Sequence, residues 1–460
     1  MHALHGAAAL LACLLPVVFL GCATLPDWST LRSLRAQKTV RVVDPQGTVT
    51  HRSTRALARR LHEEGQGDLL RRHLAFMEAL GGPPLISGNQ VRLLIDGPAT
   101  YQAMFREISR ARDHINLEIY ILEDDELGQR LAELLMAKQS QGVQVNLIYD
   151  SVGSLGTSRE FFQRLAQAGI NVLEFNPLNP LKGKEWRLNN RDHRKILVVD
   201  GKVAFTGGIN FSSVYASGSS PSSGRGRPSP DNGWRDTQIE VRGPAVAEFQ
   251  RLFLDTWHKQ HGPPLARRNY FPEAPRAGDK LLRVIGSQPG DSANLIYLEL
   301  LSAISHAERS IRLTMAYFVP DQQTVAALCE AARRGVDVQL ILPGFSDFWA
   351  VFHAGRSHYT TLLEAGVRIY ERRDAMLHAK TAVVDGVWST VGSANMDMRS
   401  FLHNDEVNVV VLGEEFAQQM QDMFDTDLGN AVPVDAAGWA ARPLHLRLQE
   451  WLARMWEYWL

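Results

Sequence analysis

This sequence contains two copies of one short pattern in which a histidine and a lysine lie two positions apart and an aspartate follows. The polar members are His193, Lys195 and Asp200 in the first copy and His378, Lys380 and Asp385 in the second. An apolar run separates lysine from aspartate, which indicates a buried strand. Because strand side chains alternate between faces, each histidine and its lysine would point into one pocket. A histidine can attack or protonate a phosphate and a lysine can neutralise its charge, so the pairs indicate phosphoryl-group chemistry.

The elements that must position these residues form a longer internal repeat. A buried strand beginning at His114 corresponds to one beginning at Ser310, and helices are predicted over 127–139 and 324–334. A glycine follows each of these helices and introduces the next strand. Each half therefore predicts the order β-α-β-α-β-β. The predicted fold class is α/β, with two repeats, each a mixed sheet flanked by helices, packed with pseudo-twofold symmetry around one active site.

An asparagine and an acid occupy corresponding places after each motif. Asn210 precedes Asp236 by 26 positions, while Asn395 precedes Glu406 by 11. A stretch rich in Ser, Pro and Gly, 217–231, has no counterpart in the second half, and removing it makes the two spacings equal. We interpret this stretch as a mobile loop. We expect each acid to accept a hydrogen bond from the far nitrogen of a motif histidine and so to fix its tautomer.

Together these residues can build one site at the interface of the two halves. One histidine would attack phosphorus, and the other would protonate the leaving alkoxide and then deprotonate the incoming alcohol or water. The lysines, with Asn210, Asn395 and Ser393, would bind the phosphate oxygens. We interpret Asp200 and Asp385, which complete the motifs, as bonding turn backbone rather than transferring protons. This chemistry needs no metal or other cofactor, and no usual metal-ligand spacing is present.

The double motif resembles the signature of the phospholipase D superfamily, which is His-x-Lys-x4-Asp twice in one chain. The stretch 376–408, Tyr317-Phe-Val-Pro320 and the Trp-rich C-terminal tail are similar to the bacterial cardiolipin synthases of that superfamily. The resemblance covers about residues 88–460. It implies transfer of a phosphatidyl group to the hydroxyl of phosphatidylglycerol, from phosphatidylglycerol or phosphatidylethanolamine, with release of glycerol or another alcohol. It also implies His193 as the nucleophile and His378 as the general acid and base.

Three other functions are compatible with parts of the pattern. A hydrolytic phospholipase D differs from the transferase only in using water to resolve the intermediate. A nuclease of the same superfamily is disfavoured because the formal net charge is −1, which provides no general attraction for nucleic acid. A non-catalytic membrane-binding protein is disfavoured because both motifs are intact. We therefore expect phospholipid substrates and a membrane surface as partners, and no nucleic acid.

The N-terminus predicts export and membrane attachment. The apolar run 7–20 is too short to cross a bilayer as a helix but fits the core of a signal peptide. The following Gly21-Cys22 resembles a bacterial lipobox, although the two N-terminal transmembrane helices of one branch of the family are replaced by this leader. We expect a lipid-anchored exported protein on the periplasmic face, lipidated at Cys22. The alternatives are a plain signal, a retained anchor or a buried helix.

The predicted domain plan has six parts: a leader (1–22), a helical basic segment (23–87), a first phospholipase D-like domain (88–262), a linker (263–279), a second such domain (280–430) and an amphipathic tail (431–460). We interpret the basic side chains of 32–72 as a solvated helical face rather than an anionic-lipid contact. One helical face of the tail carries Leu444, Leu448, Trp451, Leu452, Met455 and Trp459. This face predicts either docking onto the core or an interfacial membrane helix.

Overall fold

The computed structural model describes residues 24–34, 40–43, 68–178, 189–219 and 233–460. The predicted leader with Cys22, much of the basic segment and most of the predicted mobile loop lie outside these residues. Within the described ranges, no helix combines the length and apolar character needed to cross a membrane. The N-terminal part contributes α1 (Trp28–Leu31), β1 (Val42–Val43) and α2 (Asp68–Ala79).

The first half follows with alternating strands and helices. Its strands are β2 (Leu85–Ile95), β3 (His114–Ile119), β4 (Gln144–Asp150), β5 (Asn171–Phe175), β6 (Arg191–Asp192), β7 (Ile196–Val199), β8 (Val203–Gly207), β9 (Trp234–Arg235) and β10 (Thr237–Arg242). Its helices are α3 (Asp96–Arg110), α4 (Glu126–Ser140), α5 (Arg159–Gln167) and α6 (Val246–Lys259), with a short 3₁₀ turn at Ser213–Tyr215.

The second half repeats this order after an irregular connection from α6. Its strands are β11 (Lys280–Ser287), β12 (Ser310–Met315), β13 (Asp337–Pro343), β14 (Arg368–Arg372), β15 (Met376–Leu377), β16 (Lys380–Val384), β17 (Trp388–Gly392), β18 (Asn404–Leu412) and β19 (Ala431–Pro433). Its helices are α7 (Leu295–His306), α8 (Gln322–Arg333), α9 (Trp349–Arg356), α10 (Tyr359–Glu364), α11 (Met398–Leu402), α12 (Glu414–Gly429), α13 (Ala436–Ala440) and α14 (Leu444–Arg454).

The two halves have the same sheet topology. The strand order is β5-β4-β3-β7-β8-β10-β2 in the first half and β14-β13-β12-β16-β17-β18-β11 in the second. In both sheets the first three strands are parallel and the later pairings antiparallel. The edge strands β2 and β11 pair with each other and join the two sheets. The predicted α/β fold with two repeats is confirmed.

Local sequence signals explain why corresponding helices begin and end together. Asp125 caps α4 by accepting from Gly128 N at 2.9 Å, and Asp321 caps α8 in the same manner. The chain leaves these helices through Gly142 at φ +88° and Gly335 at φ +93°. Only glycine adopts this backbone region without steric cost, so each helix stops where its strand must start.

Residues at both ends of the predicted domain plan pack with the second half. The boundary expected at residue 88 falls inside β2. Helix α2 packs into the hydrophobic core of the second half, where His73 Nε2 lies 2.9 Å from Glu299 of α7. The segment assigned to the tail begins with β19, which pairs with β14 at the edge of the second sheet. Apolar side chains of α2 and of residues 434–439 pack into the core of the second half, so these two stretches are parts of its fold rather than appendages.

Candidate active site

Two short parallel bridges connect the halves beside the motif histidines. Strand β6, which precedes His193, pairs with the start of β18, and His193 N donates to Asp405 O at 3.0 Å. Strand β15, which precedes His378, pairs with β9, and His378 N donates to Arg235 O at 2.8 Å. Each bridge therefore holds the backbone of one histidine against the residue that precedes the predicted acid of the other half.

The bridges pair each histidine side chain with the acid of the opposite half. Nδ1 of His193 lies 3.0 Å from both carboxylate oxygens of Glu406, and Nδ1 of His378 lies 2.6 Å from Asp236 Oδ2. All four side chains are buried. A carboxylate accepts from Nδ1–H, so the Nε2 lone pair of a neutral imidazole is available for other chemistry. Sequence position alone did not specify this exchange between the halves.

The charges of the site favour a neutral histidine beside an ionised acid in the first pair. Burial lowers the pKa of His193 to about 4, although Glu406 acts in the opposite direction. Burial on its own would raise the pKa of Glu406, but His193 and Lys195 outweigh it and lower the pKa to about 2. Burial and the Lys380 charge lower the pKa of His378, against the effect of Asp236. At neutral pH His193 is therefore an uncharged imidazole oriented by a carboxylate.

The two motif lysines are buried in the same electrostatic environment. Lys195 Nζ donates to His193 O at 2.7 Å and lies 5.1 Å from the centre of the Tyr120 ring, and Lys380 Nζ donates to His378 O. Burial lowers the pKa of Lys195 to about 7 and that of Lys380 to about 8, with opposing contributions from Glu406 and Asp236 respectively. Each lysine also lowers the pKa of the histidine in the other half, so both pairs act within one site.

The three residues expected to help bind phosphate have different surroundings. Asn210 Oδ1 accepts from Ile121 N at 3.1 Å, and its Nδ2 donates to the Tyr215 hydroxyl at 3.3 Å. Asn395 is buried, and its Oδ1 has no hydrogen-bond partner among the described residues. Ser393 contacts one of the two acids. Its hydroxyl donates to Glu406 and accepts from Val407 N at 3.0 Å, so it supports that carboxylate.

The motif aspartates anchor backbone at the opposite end of each motif strand. Asp200 accepts from the amides of 112–114, and Asp385 accepts from those of 308–310. Both adopt positive φ, at +54° and +53°, in the turn after β7 and β16. These contacts fix the start of β3 and β12 to the motif hairpin. Asp200 and Asp385 therefore support the site through β7 and β16, which follow His193 and His378 in the chain.

Aromatic rings around the histidines were not predicted from the sequence. Trp234 and Tyr215 approach the His378 ring at centroid distances of 5.1 and 5.8 Å, and Tyr120 lies 5.0 Å from the His193 ring. Tyr317 lies 6.3 Å from His378 and, like Tyr120, follows the central strand of its half, although its counterpart in the repeat is Ile121. A tyrosine shortly after each central strand was the available signal in the sequence. Tyr215 lies in the 3₁₀ turn and Trp234 in β9, on either side of the stretch 217–231 that has no counterpart in the second half.

Arg194, the middle residue of the first motif, is a buried connector. Its Nε donates to Glu406 O at 3.1 Å and its Nη2 to Ser287 O at 2.7 Å. The side chain is 4% exposed and lies near the carboxylates of Glu118 and Asp405. Ala379 takes its place in the second motif. Arg194 thus ties the first motif to the strand that carries the acid of the second half.

Two oriented imidazoles and two buried cations, supplied by both halves of a two-repeat α/β fold, define a phospholipase D-like site. The family model described as "Cardiolipin synthase, PLD-like domain" matches residues 104–218 and 300–428. A cardiolipin synthase of Geobacillus thermodenitrificans is 37% identical over 385 residues, which cover 83% of this chain and 74% of that protein. Cardiolipin synthase A of Pseudomonas aeruginosa is 36% identical over 76% of this chain and 69% of its own length.

A solved structure supports the fold assignment. The phosphatidylserine synthase of Haemophilus influenzae superimposes with a TM-score of 0.63 over 83% of this chain and 98% of that chain, at 14% identity. At this identity the likeness concerns the fold alone. The sequence relatives are much closer, and on their evidence the chain belongs to the cardiolipin synthase family of PLD-like proteins. The predicted family is confirmed, and membership makes the chain an enzyme of the phosphatidyltransferase class.

Proposed function

We propose that this enzyme transfers a phosphatidyl group to the headgroup hydroxyl of phosphatidylglycerol through a phosphohistidine, forming cardiolipin. The observation that carries the proposal is the reciprocal pairing of His193 with Glu406 and of His378 with Asp236. It provides one imidazole able to attack and a second able to move a proton, both in fixed tautomers. The names of the sequence relatives support the same product.

In the first step, Nε2 of His193 attacks the phosphorus of the donor phospholipid. A phosphorus–nitrogen bond forms while the bond from phosphorus to the headgroup oxygen breaks, and His378 gives its proton to that oxygen. The donor's negative charge favours the protonated form of His378 at this stage. With phosphatidylglycerol as donor, the released alcohol is glycerol. Lys195 and Lys380 would hold the non-bridging oxygens and stabilise the charge that develops on them.

In the second step, a phosphatidylglycerol hydroxyl attacks the phosphohistidine. His378 accepts the hydroxyl proton, the new phosphorus–oxygen bond forms and the phosphorus–nitrogen bond breaks, which regenerates neutral His193. The intermediate must be kept from water while the second lipid enters. The rings of Trp234, Tyr215 and Tyr317 around His378 are apolar surfaces suited to this exclusion.

The test is a product analysis with purified protein and phosphatidylglycerol vesicles in the presence of a metal chelator. We expect cardiolipin and glycerol in equal amounts. Phosphatidic acid as the main product would mean that water resolves the intermediate, and a hydrolase would replace the transferase. Rapid quenching with labelled donor, followed by peptide mapping, should place the label on His193. Label on His378 would reverse the two roles.

We propose that the enzyme works at a membrane on the exported side, attached through a lipid on Cys22. The support is the lipobox-like Gly21-Cys22 after an apolar run and the lipid nature of both proposed substrates. Cells expressing wild type and Cys22→Ala are fractionated and compared. Part of the Cys22→Ala protein should move from the membrane to the soluble exported pool. An unlipidated mature mass for the wild type would contradict the proposal.

A further inference from the structure

Most apolar side chains of helix α14 face solvent, and only two of its residues are buried against the protein. Its buried positions are Glu450 and Ala453, which are 4% and 1% exposed. The outer face, by contrast, comprises Leu444, Leu448, Trp451, Leu452 and Met455, each between 43% and 78% exposed. A helix that packs on a core has the opposite arrangement. Of the two interpretations left open by the sequence, docking of this face onto the described core is therefore wrong.

The outer face adjoins a second group of exposed aromatic side chains near the active site. Helix α9 packs against α14 through a small cluster that includes Val351, Ala354 and Ala453. Phe348 and Trp349, at the start of α9, are 51% and 52% exposed. The preceding residue, Asp347, accepts a hydrogen bond from the Tyr317 hydroxyl at 2.9 Å, and the Tyr317 ring lies beside His378. Phe348 and Trp349 are thus connected to the catalytic site through Asp347 and Tyr317.

Arginines border the outer face on one side. A groove of about 470 Å³ between α10, α13 and α14 is lined by Trp451, Arg442, Arg447 and Arg454, together with other residues of these helices. Arg442 is held by Glu450 at 2.7 Å, whereas Arg447 and Arg454 are exposed. Glu457 Oε2 lies 3.5 Å from Arg454 Nε. Basic residues beside an apolar, Trp-containing helical face match the chemistry of an anionic bilayer surface.

Given the proposed action on membrane lipids, on which this step rests, we propose that the outer face of α14, with Phe348 and Trp349, binds the surface of a bilayer that contains anionic phospholipid. Arg447 and Arg454 would contact lipid phosphates at the groove. Tryptophan suits this depth because its ring is apolar and its N–H remains near water. The surface would bring lipid headgroups to the side of the site formed by Tyr317 and His378.

The test is vesicle sedimentation with the full chain carrying Cys22→Ala, so that no acyl anchor can form at that position. The parent is compared with the double variant Leu448→Glu/Met455→Glu, whose side chains are exposed and not needed for packing. We expect the double variant to partition at least about tenfold less onto vesicles of phosphatidylcholine mixed with phosphatidylglycerol. Arg447→Gln/Arg454→Gln should weaken binding to these vesicles and reduce its salt dependence, without affecting vesicles of phosphatidylcholine alone.

Phe271→Glu provides a matched control. Phe271 is 49% exposed, and its neighbours Tyr270 and Pro272 lie against Gly201, at the end of β7 remote from His193. This variant adds one negative charge, against two in the double variant, on a surface outside α14, and should bind vesicles like the parent. Equal partitioning of the parent and the Leu448→Glu/Met455→Glu variant would overturn the proposal. It would also be overturned if the same substitutions dissolved a dimer in sedimentation velocity while vesicle binding stayed unchanged, because the face would then join two copies.

A second assay separates this surface from the chemistry. With short-chain phosphatidylglycerol dissolved below its micelle concentration, the Leu448→Glu/Met455→Glu variant should retain the parent's turnover, while turnover on vesicles falls with binding. If the parent itself turns over neither substrate, the proposed transferase function fails, and the sedimentation result still decides the surface. Loss of turnover on the dissolved substrate in the variant would show that α14 supports the catalytic site rather than a bilayer.

Discussion

The two halves of the molecule share a strand order but surround their histidines differently. In the second half, Glu406 contacts His193 with both oxygens and is supported by Ser393 and by Asn404 at 3.1 Å. In the first half, Asp236 contacts His378 with one oxygen, and Gly208 occupies the place that corresponds to Ser393. Equal topology therefore delivers two unequal histidine–acid pairs, which fits one nucleophile and one proton carrier better than two interchangeable groups.

The exchange of acids between the halves makes each half incomplete. His193 lies 213 positions from the acid that orients it, and His378 lies 142 positions from its own. A half with an intact motif thus lacks an oriented histidine until the other half is in place. The comparison predicts that loss of either histidine removes the whole reaction. It also predicts that substituting the acid beside each histidine affects the nucleophile and the proton carrier differently.

The largest expected effect follows from removing either imidazole. His193→Ala and His378→Ala should each lower turnover on the order of 10⁵-fold or more, because nucleophile and proton carrier act in series. His258→Ala, at an exposed position of α6, is the matched control and should leave turnover unchanged. The measurement is initial rate, with circular dichroism to verify folding. Near wild-type transfer by either variant would refute a two-histidine mechanism.

Neutralising the acids should give the next largest loss and should move different limbs of the pH profile. Glu406→Gln and Asp236→Asn should each cost roughly a thousandfold to ten-thousandfold in kcat, since the tautomer is no longer fixed. Glu406 raises the pKa of His193, so its loss should move the acid limb to lower pH. Asp236 raises the pKa of His378, so its loss should move the basic limb to lower pH. Identical profiles for both variants would mean that the two pairs are equivalent.

Substitution of the motif lysine Lys195 should lower the rate but raise the stability of the protein. Lys195→Met should remove about 3–4 kcal/mol of transition-state stabilisation, as for a lost oxyanion donor, and this loss would be measured as a lower kcat/KM. The pKa of Lys195 is lowered from 10.5 to about 7, so between these values the unfolded chain binds more protons and wild-type stability rises with pH. Thermal melts should therefore find Lys195→Met more stable than wild type, most clearly below about pH 7. A less stable variant would contradict the buried-cation description.

The smallest expected effect concerns Ser393 and the corresponding Gly208, which lie beside the two acids. Ser393→Ala removes a hydrogen bond to the Glu406 carboxylate and should lower kcat about tenfold. Gly208→Ala tests the other half, where a Cβ would meet Asp236 Oδ1 at 2.2 Å and must displace that acid. Steady-state rates of both variants are the measurement. A wild-type rate for Gly208→Ala would mean that the Asp236 carboxylate can move aside without loss of activity, which its close approach to Gly208 argues against.

The local features of the fold were predictable because they depend on residues close in sequence. The motif strands, the helices ended by Gly142 and Gly335, and the repeat itself follow from periodicity and backbone preference. The boundary predicted at residue 88 lies inside β2, because the length of a strand depends on its partners and β2 pairs with β1, β10 and β11. The lipidation of Cys22 stays a prediction, since that residue lies outside the described ranges.

The sequence by itself determined which residue types enter the site, because two motifs at matching places in a repeat must meet when the repeats pack face to face. Only the tertiary structure decided their partners. The bridges at Asp405 and Arg235 assign each histidine the acid of the opposite half, and the same geometry turns Ser393 towards Glu406. The outward orientation of α14 is likewise a tertiary result. A helical pattern defines an apolar face, but the contacts of Glu450 and Ala453 decide which way it points.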